Sequence, residues 1–192
     1  ICTLIQLNTS QKLSYIPFEN KLNMQCDKAD NLVPKLAASR FHLITWNVHK
    51  GQDTGWQEDL ERLSKRADFV LLQEATQHQN LSTFSTALFV SSFSFKDLLS
   101  GVKTFTQTQP EWYCGGGVAE PLIQIPKVAS VMSFPLEKGN SLLLINVHLI
   151  NFEWRISAYQ AQLEQIFSLV ENHQGPIIMS GDFNAWNEIG RA

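Results

Sequence analysis

The sequence predicts an α/β domain, in which β-sheet structure forms the core and helices pack on its outside. Three observations support this fold class. From residue 41 onward, short apolar runs alternate with segments that carry apolar side chains at helical spacing. The run Ser141–Leu149 is apolar almost throughout, which is typical of a strand buried on both faces. The segment Ile156–Val170 carries one apolar stripe, as an amphipathic helix on the surface of a sheet does.

Length and composition indicate one globular domain. The chain has 192 residues, and a typical domain has about 150. Hydrophobic residues make up 44% and charged residues 17%, which excludes a disordered chain, a collagen-like repeat and a coiled coil. Residues 1–40 are irregular and polar, so we expect an N-terminal arm there, followed by one domain over residues 41–192.

Charge and cysteine content bear on partners and compartment. The net charge of −3 argues against a protein that coats nucleic acid through bulk charge, but leaves a local phosphate or nucleic-acid contact open. No apolar run reaches the roughly 18 residues of a membrane span, and we expect a cytoplasmic monomer. The cysteines Cys2, Cys26 and Cys114 are an odd set without Cys-x-x-Cys spacing, which predicts free thiols in a reducing compartment.

Apolar periodicity places the elements along the chain. Helices are predicted after two capping-box patterns, Thr54-x-x-Gln57 and Thr76-x-x-Gln79, and over the amphipathic segment that ends near residue 170. The run Gly115-Gly116-Gly117 predicts a flexible loop. Strands are predicted over Phe41–Val48, Phe69–Gln73, Gly101–Thr108, Lys127–Phe134, Ser141–Leu149 and Pro176–Ser180, the last of them ending at Gly181.

Several of these apolar runs end in polar side chains. The residues concerned are Asn47, Glu74, His148, Asp182 and Asn184. Taken singly, each has an ordinary explanation as a solvated loop residue, a helix or turn cap, or a hydrogen-bonded core histidine. Taken together, and with no thiol among them, they favour a site built from oxygen and imidazole groups at one edge of the sheet structure.

This set of side chains suits a hard cation and a phosphoester. Oxygen ligands with one imidazole favour Mg²⁺ or Mn²⁺ over a structural zinc. Glu74 has the character of a ligand, with Asn47 as a neutral helper, and Asp182 can orient or deprotonate water. The remaining two, Asn184 and His148, can donate hydrogen bonds to phosphoryl oxygens.

Two basic residues follow motif segments. Lys50 and Arg155 could attract an anionic substrate, although a solvated surface charge is the usual role of such residues.

The order of the motifs resembles the endonuclease/exonuclease/phosphatase superfamily of metal-dependent phosphohydrolases. The resemblance runs from about Phe41 to Trp186, and its details are most similar to the bacterial YafD-like branch. The motifs that carry it are Trp46-Asn47-Val48-His49-Lys50, Leu72-Gln73-Glu74, Ser100-Gly101-Val102, Glu120-Pro121-Leu122, Asn146-Val147-His148-Leu149, Asn151-Phe152 and Gly181-Asp182-Phe183-Asn184-Ala185-Trp186.

The resemblance implies a fold and a set of roles. The fold is a four-layer α/β/β/α sandwich of the deoxyribonuclease-like type, with the site at one rim. Glu74 would be the principal Mg²⁺ ligand, and Asn47 would hold the metal or its water. His148 would contact the scissile phosphate, and Asp182 would orient or activate the nucleophilic water with support from Asn184.

The family pattern normally continues after Asn184 with further elements and a terminal Asp-His pair that serves the acid–base step. The sequence ends at Ala192, so we expect a fragment of a longer protein, with a C-terminal portion of the sandwich missing and the chain alone inactive or impaired. The full-length protein is then expected to be a Mg²⁺-dependent phosphoester hydrolase, with a phosphodiester substrate and a metal-activated water. The alternative is a non-enzymatic domain of the same fold that binds a phosphate group or a partner.

Overall fold

The computed structural model describes residues 12–17, 24–29, 32–37, 40–95, 97–119, 125–150 and 157–184. Within these residues two five-stranded sheets pack against each other. The first sheet has the strand order β1-β5-β6-β4-β3, in which β1 and β5 are parallel, as are β3 and β4. Its strands are β1 (Lys12–Ile16), β3 (Leu43–Asn47), β4 (Phe69–Thr76), β5 (Thr86–Phe95) and β6 (Leu98–Thr106).

The second sheet has the order β10-β9-β8-β7-β2, and only its β9–β10 pair is parallel. Parallel pairing brings the carboxyl ends of β9 and β10 to the same edge, so that Asp182 lies beside His148 in the register. The strands are β2 (Gln25–Lys28), β7 (Trp112–Ala119), β8 (Pro126–Pro135), β9 (Ser141–His148) and β10 (Ile177–Asp182).

One helix covers the outer face of each sheet. Helix α1 (Trp56–Ser64) buries Leu60 in a cluster with residues of β4, and α2 (Ser157–Val170) buries Ile166 against residues of β9. A third cluster lies between the sheets. Its largest members are Phe69, Leu71, Leu88, Met132, Phe134, Leu142 and Leu144. Three apolar interfaces separate four layers, which confirms the predicted α/β/β/α sandwich.

Two segments of the predicted arm belong to the sheets. Lys12–Ile16 pairs with Thr86–Val90 at the edge of the first sheet, and Gln25–Lys28 pairs with Trp112–Gly115 at the edge of the second. Runs of five and four residues are too short to carry a clear period of two, and for this reason the sequence predicts only an irregular arm.

The first capping-box pattern precedes the predicted helix without capping it, and the second precedes no helix. Helix α1 begins at Trp56 with Gly55 as its N-cap, so Thr54 does not cap it. After Thr76 there is no helix, and β5 starts at Thr86. The side chain of Gln79 still reaches back to accept a hydrogen bond from the Thr76 amide at 2.9 Å, but this contact closes a turn. A capping-box contact can therefore form without a helix following it.

The glycine run predicted as a loop is the middle of β7. A Cβ atom on Gly115 would lie 2.5 Å from a methyl group of Val90, which belongs to the facing sheet. Glycine here permits a close approach between the two sheets, although its strand propensity is low. Propensity alone therefore predicts a loop where packing requires a strand.

The expectation of free thiols is wrong for two of the three cysteines. Cys26 and Cys114 are direct partners across the antiparallel pair β2–β7 and form a disulfide. The bond joins a four-residue edge strand to the body of the second sheet across 88 residues of sequence. Spacing along the chain could not predict it, because the pairing depends on the register of two strands that the sequence does not reveal.

A buried amide pair connects the two sheets beneath the ends of β4 and β9. Gln73 Nε2 donates to Asn146 Oδ1 at 2.7 Å, and both side chains are almost completely buried. Asn146 Nδ2 in turn donates to the Leu72 carbonyl at 3.2 Å and to Thr104 Oγ1 at 3.1 Å. Asn146, which the motif places near the site, therefore holds the sheets together.

We predict that the disulfide is present in the purified protein and stabilises it. Alkylation without reductant should leave Cys26 and Cys114 unmodified, and mass spectrometry should find both modified after reduction. By closing a long loop, the bond should contribute about 2–5 kcal/mol to the free energy of unfolding. The C26A/C114A variant is the control, since reductant should not alter its melting temperature. Modification of both cysteines without reductant would contradict the prediction.

We predict strong coupling between Gln73 and Asn146. Each single replacement by leucine leaves a buried polar partner unsatisfied, at a cost of about 1–3 kcal/mol for that group. The Q73L/N146L double variant removes both partners of their shared bond and should recover part of that loss. Urea denaturation of the four proteins gives the coupling free energy, expected at about 0.5–3 kcal/mol. If the changes in unfolding free energy of the two single variants simply add up in the double variant, the prediction is wrong.

Candidate active site

Four strands of the two sheets end at one rim with polar side chains. Asn47 is the last residue of β3, and Glu74 lies near the end of β4, both in the first sheet. His148 and Asp182 are the last residues of β9 and β10 in the second sheet. The two sheets pack with these ends together, so the rim combines side chains from distant parts of the chain.

Asn47 joins the two carboxylates. Its Nδ2 donates to Glu74 Oε1 at 3.3 Å and to Asp182 Oδ2 at 3.0 Å. Its Oδ1 accepts a hydrogen bond from the His49 amide at 3.1 Å. The structure therefore brings Glu74 and Asp182 to the same amide nitrogen. In this arrangement Asn47 orients both carboxylates, and its predicted role at a metal stays a prediction.

A β-bulge directs Glu74 toward the rim. The β4–β6 pairing shifts register between Leu72 and Ala75, and both of these residues pack in the cluster under α1. The inserted residue breaks the simple alternation that predicts Glu74 on the same face as Leu72. Glu74 itself has a φ of 49°, a conformation that a residue with a side chain adopts at a cost of order 1–3 kcal/mol. Bulges of this kind re-aim side chains next to active sites.

Lys50 is the direct cationic partner of Glu74. It follows β3 in a short 3₁₀ turn and makes an ion pair with Glu74 Oε2. Partial burial is the largest influence on the Glu74 carboxyl and raises its pKa, but the hydrogen bonds from Lys50 and Asn47 and the charge of Lys50 outweigh it. The net result is a lowered pKa. Glu74 is therefore a carboxylate at neutral pH, as a cation ligand must be.

Backbone geometry also places Asp182. The preceding Gly181 has a φ of 145°, and a Cβ atom there would lie 2.0 Å from the Val147 carbonyl oxygen. Only glycine fits, and it allows β10 to continue to Asp182 instead of ending at Gly181. Asp182 Oδ1 accepts from the Asn184 amide at 3.0 Å, and Asn184 Nδ2 donates to the Leu149 carbonyl at 2.8 Å. Asn184 thus braces the turn that carries Asp182.

His148 lies between a cation and a carboxylate. Its Nε2 is 2.9 Å from Lys127 Nζ and 3.7 Å from Asp182 Oδ2. Burial lowers its pKa to about 4, the Lys127 charge adds to this effect, and Asp182 and Glu74 oppose it. The ring is therefore neutral at neutral pH. Because a lysine ammonium has only donors, Nε2 accepts the hydrogen bond and the ring proton is on Nδ1.

Sequence reasoning missed two lysines near this rim. Lys103 in β6 is buried and donates through Nζ to the carbonyls of Gln77, at 3.2 Å, and Gln79. These bonds hold the turn that follows Glu74, and burial lowers the pKa of Lys103 to about 8. Lys127 in β8 contacts His148 directly. The signal for Lys103 is a lysine inside a predicted strand, because this residue type is rarely buried. Lys127 begins its predicted strand and carries no such signal.

A cavity of about 140 Å³ opens at the rim. Lys50 and Glu74 line it from the first sheet, and Lys127 and His148 line it from the second. Both lysines therefore bring a positive charge to this cavity. Arg155, the other predicted substrate-binding residue, lies outside the described residues.

The donor chemistry fits a hard divalent cation held by few protein ligands. Among the described residues, no group of three or more His, Cys, Asp and Glu side chains converges as a metal site would require. Glu74 and Asp182 supply carboxylate oxygens near one point, next to the Asn47 amide. Mg²⁺ commonly binds through one or two carboxylates and completes its shell with water and substrate oxygens. The arrangement does not provide the three or four protein ligands of a zinc site.

In the part of the chain that the structure describes, no helix has the length and apolar character needed to cross a bilayer.

Comparison with known proteins identifies the family. The profile of the Endonuclease/Exonuclease/phosphatase family matches residues 44–190, which include every predicted site residue. A UPF0294 protein of Yersinia pseudotuberculosis is 35% identical over 159 residues, covering 80% of this chain and 61% of the relative. A UPF0294 protein of Photorhabdus laumondii is 32% identical over 182 residues, covering 90% of this chain and 70% of the relative. The chain spans about three-fifths of the length of the Yersinia relative.

Solved structures share the fold at low sequence identity. A structure of ANGEL2, described as a 2′,3′-cyclic phosphatase, has a TM-score of 0.58 at 14% identity and covers 84% of this chain and 56% of its own. Truncated Caenorhabditis elegans TDP2 has a TM-score of 0.55 at 13% identity and covers 78% of this chain and 64% of its own. An endonuclease/exonuclease/phosphatase from Beutenbergia cavernae has a TM-score of 0.51 at 14% identity, with 76% and 48% covered.

These comparisons confirm the resemblance that the motifs indicate and the sandwich fold that it implies. The family profile covers most of the chain, and the UPF0294 relatives also match over most of it. The chain belongs to the Endonuclease/Exonuclease/phosphatase family, and within it is similar to the UPF0294 proteins.

Proposed function

We propose that this protein hydrolyses a phosphoester, with a phosphodiester as its substrate and Mg²⁺ or Mn²⁺ as its cofactor. The observation that carries the proposal is the position of Glu74 and Asp182, which come from different sheets and share the amide of Asn47. Two lysines and a neutral histidine line the cavity beside them. Membership of a family named for nucleases and phosphatases supports the reaction class, as does the cyclic phosphatase activity given for ANGEL2.

The side chains divide the work of hydrolysis between them. Glu74 and Asn47 would hold the cation, which when bound neutralises phosphoryl charge and makes water more acidic. Asp182 orients the attacking water and accepts its proton, because its Oδ2 faces the rim beside Asn47. Asn184 keeps Asp182 in position through its backbone amide. Lys50, and by the sequence prediction Arg155, attract the anionic substrate.

In the proposal, His148 contacts the phosphate without donating a hydrogen bond from Nε2. Its Nε2 accepts a hydrogen bond from Lys127 and therefore cannot donate to a phosphoryl oxygen at the same time. Its Nε2 lies 3.7 Å from Oδ2 of Asp182, the residue that orients the attacking water in the proposal. His148 is then a neutral ring beside the phosphate that helps to position Lys127 and Asp182.

Compartment and oligomeric state belong to the proposal as well. The sequence favours a cytoplasmic monomer, whereas a disulfide between Cys26 and Cys114 is more typical of an oxidising compartment. Cell fractionation with antibody detection, combined with alkylation of the protein in intact cells, distinguishes the two compartments. Light scattering of the purified protein gives its mass in solution and tests the monomer.

We predict that E74Q strongly impairs metal-dependent hydrolysis, because it replaces the carboxylate that would hold the cation. The expected loss is about 10²–10³-fold in kcat, comparable to the removal of a transition-state-stabilising group. Activity is measured on the complete gene product with bis(4-nitrophenyl) phosphate and 4-nitrophenyl phosphate, each with Mg²⁺ and with Mn²⁺. E58Q makes the same chemical change on the exposed face of α1 and should leave activity unchanged.

Two outcomes would count against the assignment. Full activity of E74Q would remove Glu74 as the ligand. A complete gene product that binds Mg²⁺ by calorimetry but hydrolyses no member of a broad phosphoester panel would favour the alternative, a phosphate-binding or partner-binding domain of the same fold.

A further inference from the structure

We propose that Lys127 is a further catalytic residue of this site, which binds a non-bridging oxygen of the phosphoryl group and stabilises the charge gained in the transition state. This proposal rests on the hydrolytic function proposed above and adds to it a residue that neither the motifs nor the comparisons assign.

Lys127 lines the cavity from the second sheet. It is the second residue of β8, and its Nζ lies 2.9 Å from His148 Nε2. Lys50 reaches the same cavity from the first sheet and is paired with Glu74. A phosphoryl group in this cavity therefore has one ammonium on the side of the metal-binding carboxylate and a second ammonium on the side of the histidine.

The chemistry of the contact assigns the donor role to lysine. An ammonium has only donors, so His148 Nε2 accepts the bond from Lys127, and the donor that this pair presents to the cavity is the ammonium of Lys127. An ammonium has three N–H groups, which allows it to contact His148 and a phosphoryl oxygen together. The charge-assisted hydrogen bond is also stronger than one from a neutral imidazole.

The backbone around Lys127 is fixed by the outer helix. Gln162 of α2 is buried, and its Nε2 donates to the carbonyls of both Lys127, at 3.1 Å, and His148, at 3.3 Å. Its Oε1 accepts from the Ile150 amide at 3.2 Å. One side chain thus ties together the ends of β8 and β9. On the other side, Gly117 lets β7 approach, since a Cβ atom there would lie 2.1 Å from the Lys127 carbonyl oxygen. Such preorganisation is what charge stabilisation requires.

The expected effect follows from the charge change in the reaction. Water attacks phosphorus, a P–O bond forms, and its proton passes to Asp182. The opposite P–O bond breaks, and the leaving oxygen takes a proton from solvent. During attack, the phosphoryl oxygens of a diester go from one negative charge toward two. An ammonium beside them stabilises the transition state more than the bound substrate, so its loss should lower kcat more than it raises KM.

The test compares K127M and K127R in the complete gene product. With bis(4-nitrophenyl) phosphate and Mg²⁺, K127M should lower kcat by about 10²–10³-fold, while KM changes by less than about threefold and K127R retains more activity than K127M. Mg²⁺ affinity by calorimetry and the melting temperature should stay close to those of the unaltered protein. K138M removes an exposed lysine from the turn after β8 and should leave all of these quantities unchanged.

The outcomes separate this inference from the proposed function. An active parent protein with an unchanged kcat in K127M overturns the role of Lys127 and leaves the proposed function intact. A fall in Mg²⁺ affinity or melting temperature that accounts for the lost activity also overturns it, since Lys127 would then act on the fold or the cation. A parent protein without hydrolytic activity overturns both.

Discussion

The site depends on the buried hydrogen bond between Gln73 and Asn146. Glu74 follows the first of these residues, and His148 lies two positions after the second, so this bond sets the spacing between the two strands that carry them. Apolar side chains fill the rest of the space between the sheets, and they attract without fixing a register. An amide pair is directional, and breaking it leaves buried donors and acceptors unsatisfied. It therefore selects one alignment of the two sheets among those that hydrophobic packing would allow.

Local backbone strain then directs the carboxylates of Glu74 and Asp182 toward the rim. A regular strand would alternate its side chains between the two faces of a sheet, and neither face of β4 is the rim. The bulge and the positive φ at Glu74 turn its carboxylate out of that alternation, and Gly181 does the same for the chain before Asp182. These conformations cost free energy, which the packed strands on either side compensate. The rim is thus the place where both sheets depart from regular geometry, as functional sites commonly do.

The sequence predicted the long buried strands better than the short or glycine-rich ones. Long apolar runs such as β9 were predicted within a residue, because burial on both faces leaves a strong signal. The segment after Thr76, which runs into β5, was predicted to be helical because its apolar residues fit a helical period and a capping-box pattern precedes it. The glycine run in β7 was predicted to be a loop because glycine is common in loops. Its actual role, a close approach between the two sheets, involves residues far apart in the sequence, so the sequence around the glycines does not reveal it. Lys127 could not be predicted as a site residue for the same reason, because its place at the site depends on a contact with His148 on the neighbouring strand.

Three of the four layers of the sandwich contribute residues that shape the cavity. The first sheet supplies the carboxylate of Glu74 with its lysine, and the second supplies His148, Asp182 and Lys127. The outer helix α2 acts through Gln162, whose amide donates to the carbonyls of Lys127 and His148 and would lose one of these partners if β8 and β9 separated. Neutral amides help to position these groups: Asn47 donates to both carboxylates at the rim, and Gln162 holds the backbone that carries Lys127 and His148. The side-chain amides of Asn47 and Gln162 thus set the positions of the charged groups that line the rim.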